Sequence, residues 1–191
     1  MPFNIKEKYF NGEVVLIEPQ VFEDERGSFM EVFREDSFKE IGLPDRFVQE
    51  NHSISKKNVI RGLHFQWDPP MGKLMRVTRG NAFLVAVDIR KNSPTLGEWV
   101  GVEASEENRY MLWAPAYFAR GFAALSDRVD VQYVVTGRYN HGCESGILWN
   151  DSDIGIKWPV KTPILSEKDS KAQTLKEWIK RAEADNFVYK G

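Results

Sequence analysis

The sequence predicts an all-β sandwich or barrel of the jelly-roll kind, and three observations carry that expectation. Short runs rich in β-branched and aromatic residues succeed one another along most of the chain. Polar turns separate them, at Asp68-Pro-Pro-Met-Gly72, Arg79-Gly-Asn81, Lys91-Asn-Ser-Pro94 and Gly137. Helical spacing does not alternate with the strands, as a parallel α/β sheet would require, but is confined to a short segment and the C-terminal end.

Gly12-Glu-Val-Val-Leu-Ile-Glu-Pro19 is a β-branched run closed by proline, a strand at or near a sheet edge that can cross to a partner. Phe22-Glu-Asp-Glu-Arg-Gly27 then turns, and strand composition resumes from Ser28 to Phe33. Asp36 to Gly42 makes one or two helical turns, stopped by Gly42 and Pro44. Strands follow at Phe47 to Ile54, Val59 to Gln66, Lys73 to Arg79, Ala82 to Ile89, Trp99 to Glu103 and Val129 to Val135. From Ser170 to Ala182, apolar Ala172, Leu175, Trp178, Ile179 and Ala182 fall at helical spacing, predicting a helix outside the sheets. Ser166-Glu-Lys-Asp169 just before it fits a capping-box variant, so Asp169 has an ordinary reading as a helix cap.

With 191 residues, 42% of them hydrophobic, and no linker or repeat, the chain reads as one domain over 1–191. A formal charge of -2 gives no field to draw in nucleic acid or an anionic membrane. Cys143 is the only cysteine, which excludes an internal disulfide and a cysteine-built zinc site. No targeting leader or membrane-length apolar run is present, so the expected location is the cytoplasm.

Chemistry concentrates at Val59-Ile-Arg-Gly-Leu-His-Phe-Gln66, where period-two spacing puts Gly62, His64 and Gln66 on one face. A strand histidine is often a core residue bonded to backbone. His64 is also placed to act as a general base, since imidazole titrates near working pH. Only His52, His64 and His141 exist, with no His-x-His pair, so the histidines are too sparse for a typical barrel metal site and no metal or cofactor is expected. Removing a proton beside a ketone also needs a donor at the enolate oxygen, and Lys73 or Arg61 can supply one. Tyr133 can offer a phenolic proton from the other side, though Lys73 also reads as a solvated residue and Tyr133 as a core aromatic.

Phe22-Glu-Asp-Glu-Arg-Gly-Ser-Phe29, Gln49-Glu-Asn-His-Ser53, Ile60-Arg-Gly-Leu-His64, Val85-Ala-Val-Asp-Ile-Arg90 with Ser93-Pro-Thr95, Gly146-Ile-Leu-Trp149 and Leu165-Ser-Glu-Lys-Asp169 resemble the dTDP-4-dehydrorhamnose 3,5-epimerase family. The resemblance implies a metal-free, cupin-type jelly roll, a homodimer, and a nucleotide-diphosphate 4-keto-deoxysugar inverted at the carbons flanking its ketone. It implies that His64 takes the proton, Asp169 orients the imidazole, Tyr133 returns a proton from the opposite face and Lys73 steadies the enolate oxygen. Arg26, Glu31, Gln49, Asn51, Arg61, Glu144 and Lys168 match positions that hold the sugar, diphosphate or base, and Tyr139 an aromatic that stacks on the nucleobase.

One segment departs from the family, which usually reads Pro-x-Gly-Phe-Ala-His-Gly-Phe where this chain has Pro115-Ala-Tyr-Phe-Ala-Arg-Gly-Phe122. Arg120 in place of histidine is expected to grip the diphosphate through its two-pronged guanidinium. Tyr117 in place of glycine is expected to add bulk near the substrate and alter the accepted sugar or nucleotide. Competing readings are an epimerase of one carbon only, one acting on a GDP-, CDP- or UDP-linked sugar, a binding protein without catalysis, and a metal-dependent cupin.

Overall fold

The computed structural model describes residues 2–190, so the two end residues of the expected 1–191 domain lie outside it. In chain order the elements are β1 (Phe3–Tyr9), β2 (Val14–Pro19), β3 (Val21–Asp24), β4 (Gly27–Met30), α1 (Glu35–Glu40), β5 (Gln49–Lys56), β6 (Ile60–Gln66), β7 (Lys73–Arg79), β8 (Asn81–Asp88), β9 (Trp99–Ser105), β10 (Met111–Ala114), β11 (Phe118–Ala124), β12 (Arg128–Val135), β13 (Glu144–Gly146), α2 (Glu167–Ser170) and α3 (Leu175–Trp178). Six strands form one antiparallel sheet in the order β1-β2-β10-β7-β12-β5, five form a second in the order β13-β6-β11-β8-β9, and β3 pairs with β4 in a separate two-stranded sheet. From β5 onward the chain repeatedly jumps between the two sheets, which is the wiring of a jelly roll and gives the all-β, cupin-type fold expected.

Period-two spacing decides what lies between the sheets. On β7, Met75 and Val77 face inward to meet Leu84, Val102, Phe122 and Val131, while Leu74 faces outward. That outer face packs under Phe38 of α1 and Leu43. The smaller sheet also buries its outer face, with Leu63, Phe65, Val85 and Val87 against Leu175, Trp178 and Phe187. Burial on both sides explains why β8 reads as an almost unbroken apolar run. Among the described residues no helix is long and apolar enough to cross a membrane.

Of the expected helix from Ser170 to Ala182 only the single turn α3 forms, and α2, another single turn, ends at Ser170 where that helix was to begin. Gln173 instead bridges to Ile147, and its carbonyl accepts from Leu148 at 2.8 Å. Thr174 then restarts the chain through a capping box with Glu177. The helical spacing was real, but sheet pairing at Gln173 outweighs it, and Leu175 and Trp178 still reach the outer core. Five strands, β1, β3, β10, β11 and β13, were not expected, β3 occupying part of the stretch read as a turn, and β4 ends at Met30 rather than Phe33.

Candidate active site

At one end of the sandwich the inner hydrocarbon gives way to a polar cavity. Its outer part, about 280 Å³, is lined by Gln49, Asn51, His64, Lys73, Arg120, Tyr133, Tyr139 and Glu144 among others. A narrower inner part of about 130 Å³ keeps His64, Lys73, Arg120 and Tyr133 and adds Ser53, Arg61, Met75 and Phe122. His64 and Arg120 belong to the smaller sheet, Lys73 and Tyr133 to the larger, so the four line the space from both walls.

A strict alternation would put Arg61 and His64 on opposite faces of β6. The ladder between β6 and β11 slips by a residue between Arg120 and Phe122, which brings both to the cavity. Two glycines permit that contact: a Cβ on Gly121 would lie 2.6 Å from the Arg61 carbonyl oxygen, and one on Gly62, where φ is +127°, 2.6 Å from the Gly121 Cα.

His64 Nε2 lies 2.5 Å from Asp169 Oδ1. Asp169 is buried, and burial alone would raise its pKa, yet hydrogen bonds from His64, Ser166 and the Gly62 backbone hold it below the usual carboxylate range. An ionised carboxylate fixes the tautomer with hydrogen on Nε2, leaving the Nδ1 lone pair free as a base. Ser166 caps α2 as expected, and the same turn delivers Asp169 to the imidazole, so capping and chemistry share one loop.

Lys73 Nζ sits 4.9 Å from the centre of the Tyr133 ring. Burial, reinforced by the charge of Arg120, pushes Lys73 down to about 7. Burial pushes the Tyr133 phenol up, against the pull of Arg61, so it keeps its proton. Arg61 is tied to Ser55 Oγ at 3.0 Å and the Ile54 carbonyl at 3.2 Å.

The rim is a separate network. The Tyr139 hydroxyl donates to Glu144 at 2.8 Å, and Lys168 pairs with the same carboxylate. Although burial raises Glu144, these two donors hold its pKa below the usual range. Gln49 donates to Asn51 at 2.9 Å and accepts from the Tyr139 backbone at 2.9 Å. Gln66, buried on β6, ties down the same loop through Asn140, Pro69 and Arg138 at 2.8–2.9 Å. Its place in the polar row beside His64 was the only sequence signal for that role.

Two predicted site residues lie elsewhere in the chain's own fold. Arg26 is paired with Asp24 on the exposed β3–β4 hairpin, and Glu31 with Arg34, and neither lines the cavity. The expectation for Tyr117 is corrected. Its φ of +76° explains why glycine suits that position, but its ring packs on Phe187 at 5.1 Å, in the outer core. Arg120, in a segment where no strand was expected, stands in β11, a strand buried along its whole length. A larger hollow of about 420 Å³ lies on the outer face of the six-stranded sheet, among Val32, Phe33, Phe47, Leu74 and Met111, and its lining includes Glu50, Arg76 and Tyr133 but no histidine.

A base on one wall, facing a protonated phenol and a cation on the other, can take a proton from an acidic C–H and return one from the opposite side. Among the described residues no three His, Cys, Asp or Glu side chains converge as a metal would need. Four cations, Arg61, Lys73, Arg120 and Lys168, stand around this space against Glu144 and Asp169, which favours an anionic ligand. The sequence profile of the dTDP-4-dehydrorhamnose 3,5-epimerase family matches residues 11–177. A relative so named from Methanothermobacter thermautotrophicus is 54% identical over 85% of this chain and 90% of its own. Another from Shigella flexneri is 49% identical over 92% and 95% of the respective chains. The crystal structure of the Legionella pneumophila dTDP-6-deoxy-D-glucose-3,5-epimerase, in complex with dTDP-4-keto-L-rhamnose, superposes with a TM-score of 0.91 at 41% identity, covering 99% of this chain and all of the other.

Proposed function

The chain belongs to the dTDP-4-dehydrorhamnose 3,5-epimerase family, and from that premise we propose that it converts dTDP-4-dehydro-6-deoxy-D-glucose to dTDP-4-dehydro-L-rhamnose by inverting C3 and C5. The observation that carries this reading is the His64–Asp169 pair on one wall and the Lys73–Tyr133 pair on the other, around one cavity. The substrate's ketone acidifies the C–H bonds beside it. His64 Nδ1 takes the proton, the C–H electrons move onto the ketone oxygen, and the Lys73 ammonium meets the developing charge. Tyr133 then delivers its phenolic proton to the opposite face of the carbon, and exchange with solvent resets both groups. The rim, with Gln49, Asn51, Tyr139, Glu144 and Lys168, holds nucleotide and diphosphate, and Arg61 the inner end of the sugar. No cofactor enters the scheme.

The whole chain acts as one domain, in the cytoplasm, in keeping with a free Cys143. It works as a homodimer. Support comes from the apolar surface one copy leaves bare: Phe22 is 53% and Phe29 66% exposed on the β3–β4 hairpin, which also carries Arg26. A hairpin packed on a second copy buries those rings and gives Arg26 and Glu31 a substrate to meet.

The test offers purified protein dTDP-, GDP- and CDP-linked 4-keto-6-deoxyhexoses in D₂O and follows the sugar by NMR. Deuterium at C3 and C5 of the dTDP sugar with formation of the L-rhamno product is expected. Label at one carbon makes the protein a single epimerase, and silence with bound substrate makes it a binding protein.

A further inference from the structure

We propose that Arg120 is a catalytic donor to the sugar itself, its free guanidinium edge holding O3 and O4 together in the enediolate that forms when C3 loses its proton. This rests on the epimerase reading above and adds to it a preference between the two carbons.

Arg120 is 2% exposed, in the middle of β11, and its backbone pairs directly with His64 on β6. Nη1 donates to the Pro115 carbonyl at 2.8 Å, which anchors one side of the group. Nε and Nη2 are buried without a hydrogen-bond partner among the described residues. Those two N–H bonds lie on the same edge of the guanidinium and run parallel, so the unspent donors form a two-pronged edge. Leaving buried donors unsatisfied is costly, more so on a charged group. Burial pulls Arg120 down to about 9 with no carboxylate to offset it. A site that keeps such a group has its acceptors arrive with the ligand.

Depth selects the ligand atoms. Arg120 lines both the outer and the inner part of the cavity, and shares that with His64, Lys73 and Tyr133 alone, whereas Tyr139 and Glu144 line only the outer part. It stands at the level of the reacting carbons, and the expected grip on the diphosphate gives way to a grip on the sugar. When His64 removes the C3 proton, a C3–C4 double bond forms and holds O3 and O4 cis in one plane, the arrangement a two-pronged donor fits, with charge developing on O4. When the C5 proton leaves, the double bond runs from C4 to C5, and C5 carries the ring oxygen and the methyl group. Only O4 then remains for the same edge. Arg120 therefore accelerates exchange at C3 more than at C5.

The experiment prepares Arg120→Gln and Arg120→Lys and measures deuterium uptake at C3 and at C5 separately, with kcat, KM and dTDP affinity. Arg120→Gln is expected to slow C3 exchange about 100-fold, the loss of one oxyanion donor, and C5 exchange less than 10-fold, with dTDP affinity unchanged. Arg120→Lys keeps the charge without the paired edge and should recover C5 exchange before C3. Equal losses at both carbons in either variant overturn the proposal, and so does a weakened dTDP affinity with an unchanged C3 to C5 ratio, which restores the diphosphate role. If Arg120→Gln does not fold, the ratio in Arg120→Lys decides. A wild-type protein that labels neither carbon overturns the epimerase reading, and this one with it.

Discussion

Replacing Lys73 with methionine should make the protein more stable while abolishing most of its activity. Lys73 is half-buried at the end of β7, and its ammonium is lowered from 10.5 to about 7 by burial and by the charge of Arg120. At 1.36 kcal/mol per pH unit, a drop of that size bounds the cost of the charge at roughly 5 kcal/mol. Water still reaches a half-buried ammonium, so the realised cost is about 2 kcal/mol. The folded pKa lies below the unfolded one, so the penalty is full below pH 7 and fades as pH rises toward 10.5. Urea unfolding at pH 6 should find Lys73→Met about 2 kcal/mol more stable than wild type, with the gap narrowing at pH 9. Its kcat should fall roughly 10²–10³-fold through the lost enolate donor. A Lys73→Met protein no more stable than wild type at pH 6, or a gap that ignores pH, would refute the reasoning.

Asp169→Asn removes the charge that fixes the His64 tautomer, and steady-state assays should show kcat down by about 10²–10⁴ with KM little changed. Gly121→Ala drives a methyl to 2.6 Å from the Arg61 carbonyl; it should cost about 1–3 kcal/mol in thermal unfolding and misplace His64 against Tyr133, lowering kcat at unchanged dTDP affinity. Phe22→Ser with Phe29→Ser removes the bare apolar face of the hairpin, and light scattering should find a monomer whose KM has risen, whereas an intact dimer would move the interface elsewhere.

How much of this was legible in the sequence follows from what each residue faces. Strands with one wet and one dry side announce themselves by alternation, and β7 runs from Lys73 to Arg79 as expected. β11 hid because it is buried on both sides and is built largely from Ala119, Gly121, Ala123 and Ala124, small residues of low strand preference. They are there because β6 must come close, which only the partner strand reveals. The same concealment misdirected the reading of Arg120 and Tyr117, three residues apart, whose side chains go to opposite faces of the smaller sheet. Residues joined by long loops, such as His64 and Asp169, came only through the family resemblance, since nothing in spacing brings together positions 105 apart.

The site is continuous with the core in a way that constrains how it can vary. Along β12 the inward row runs Val129, Val131, Tyr133, and along β7 it runs Val77, Met75, Lys73, so in both strands hydrocarbon passes into chemistry within one row of side chains. Period two leaves no freedom here: a one-residue slip in either strand would turn Tyr133 or Lys73 outward and bring Val134 or Leu74 in. The strand pairings of β7 with β12, Tyr133 opposite Met75 and Val135 opposite Lys73, therefore set the spacing of the phenol and the ammonium as firmly as any contact within the cavity. The apolar packing of the inner core fixes that register, and the register aims the two groups at the sugar. Core substitutions near Met75 and Val131 that leave the fold intact should consequently register in kcat before they register in dTDP affinity, because the rim that holds the nucleotide is built from other elements.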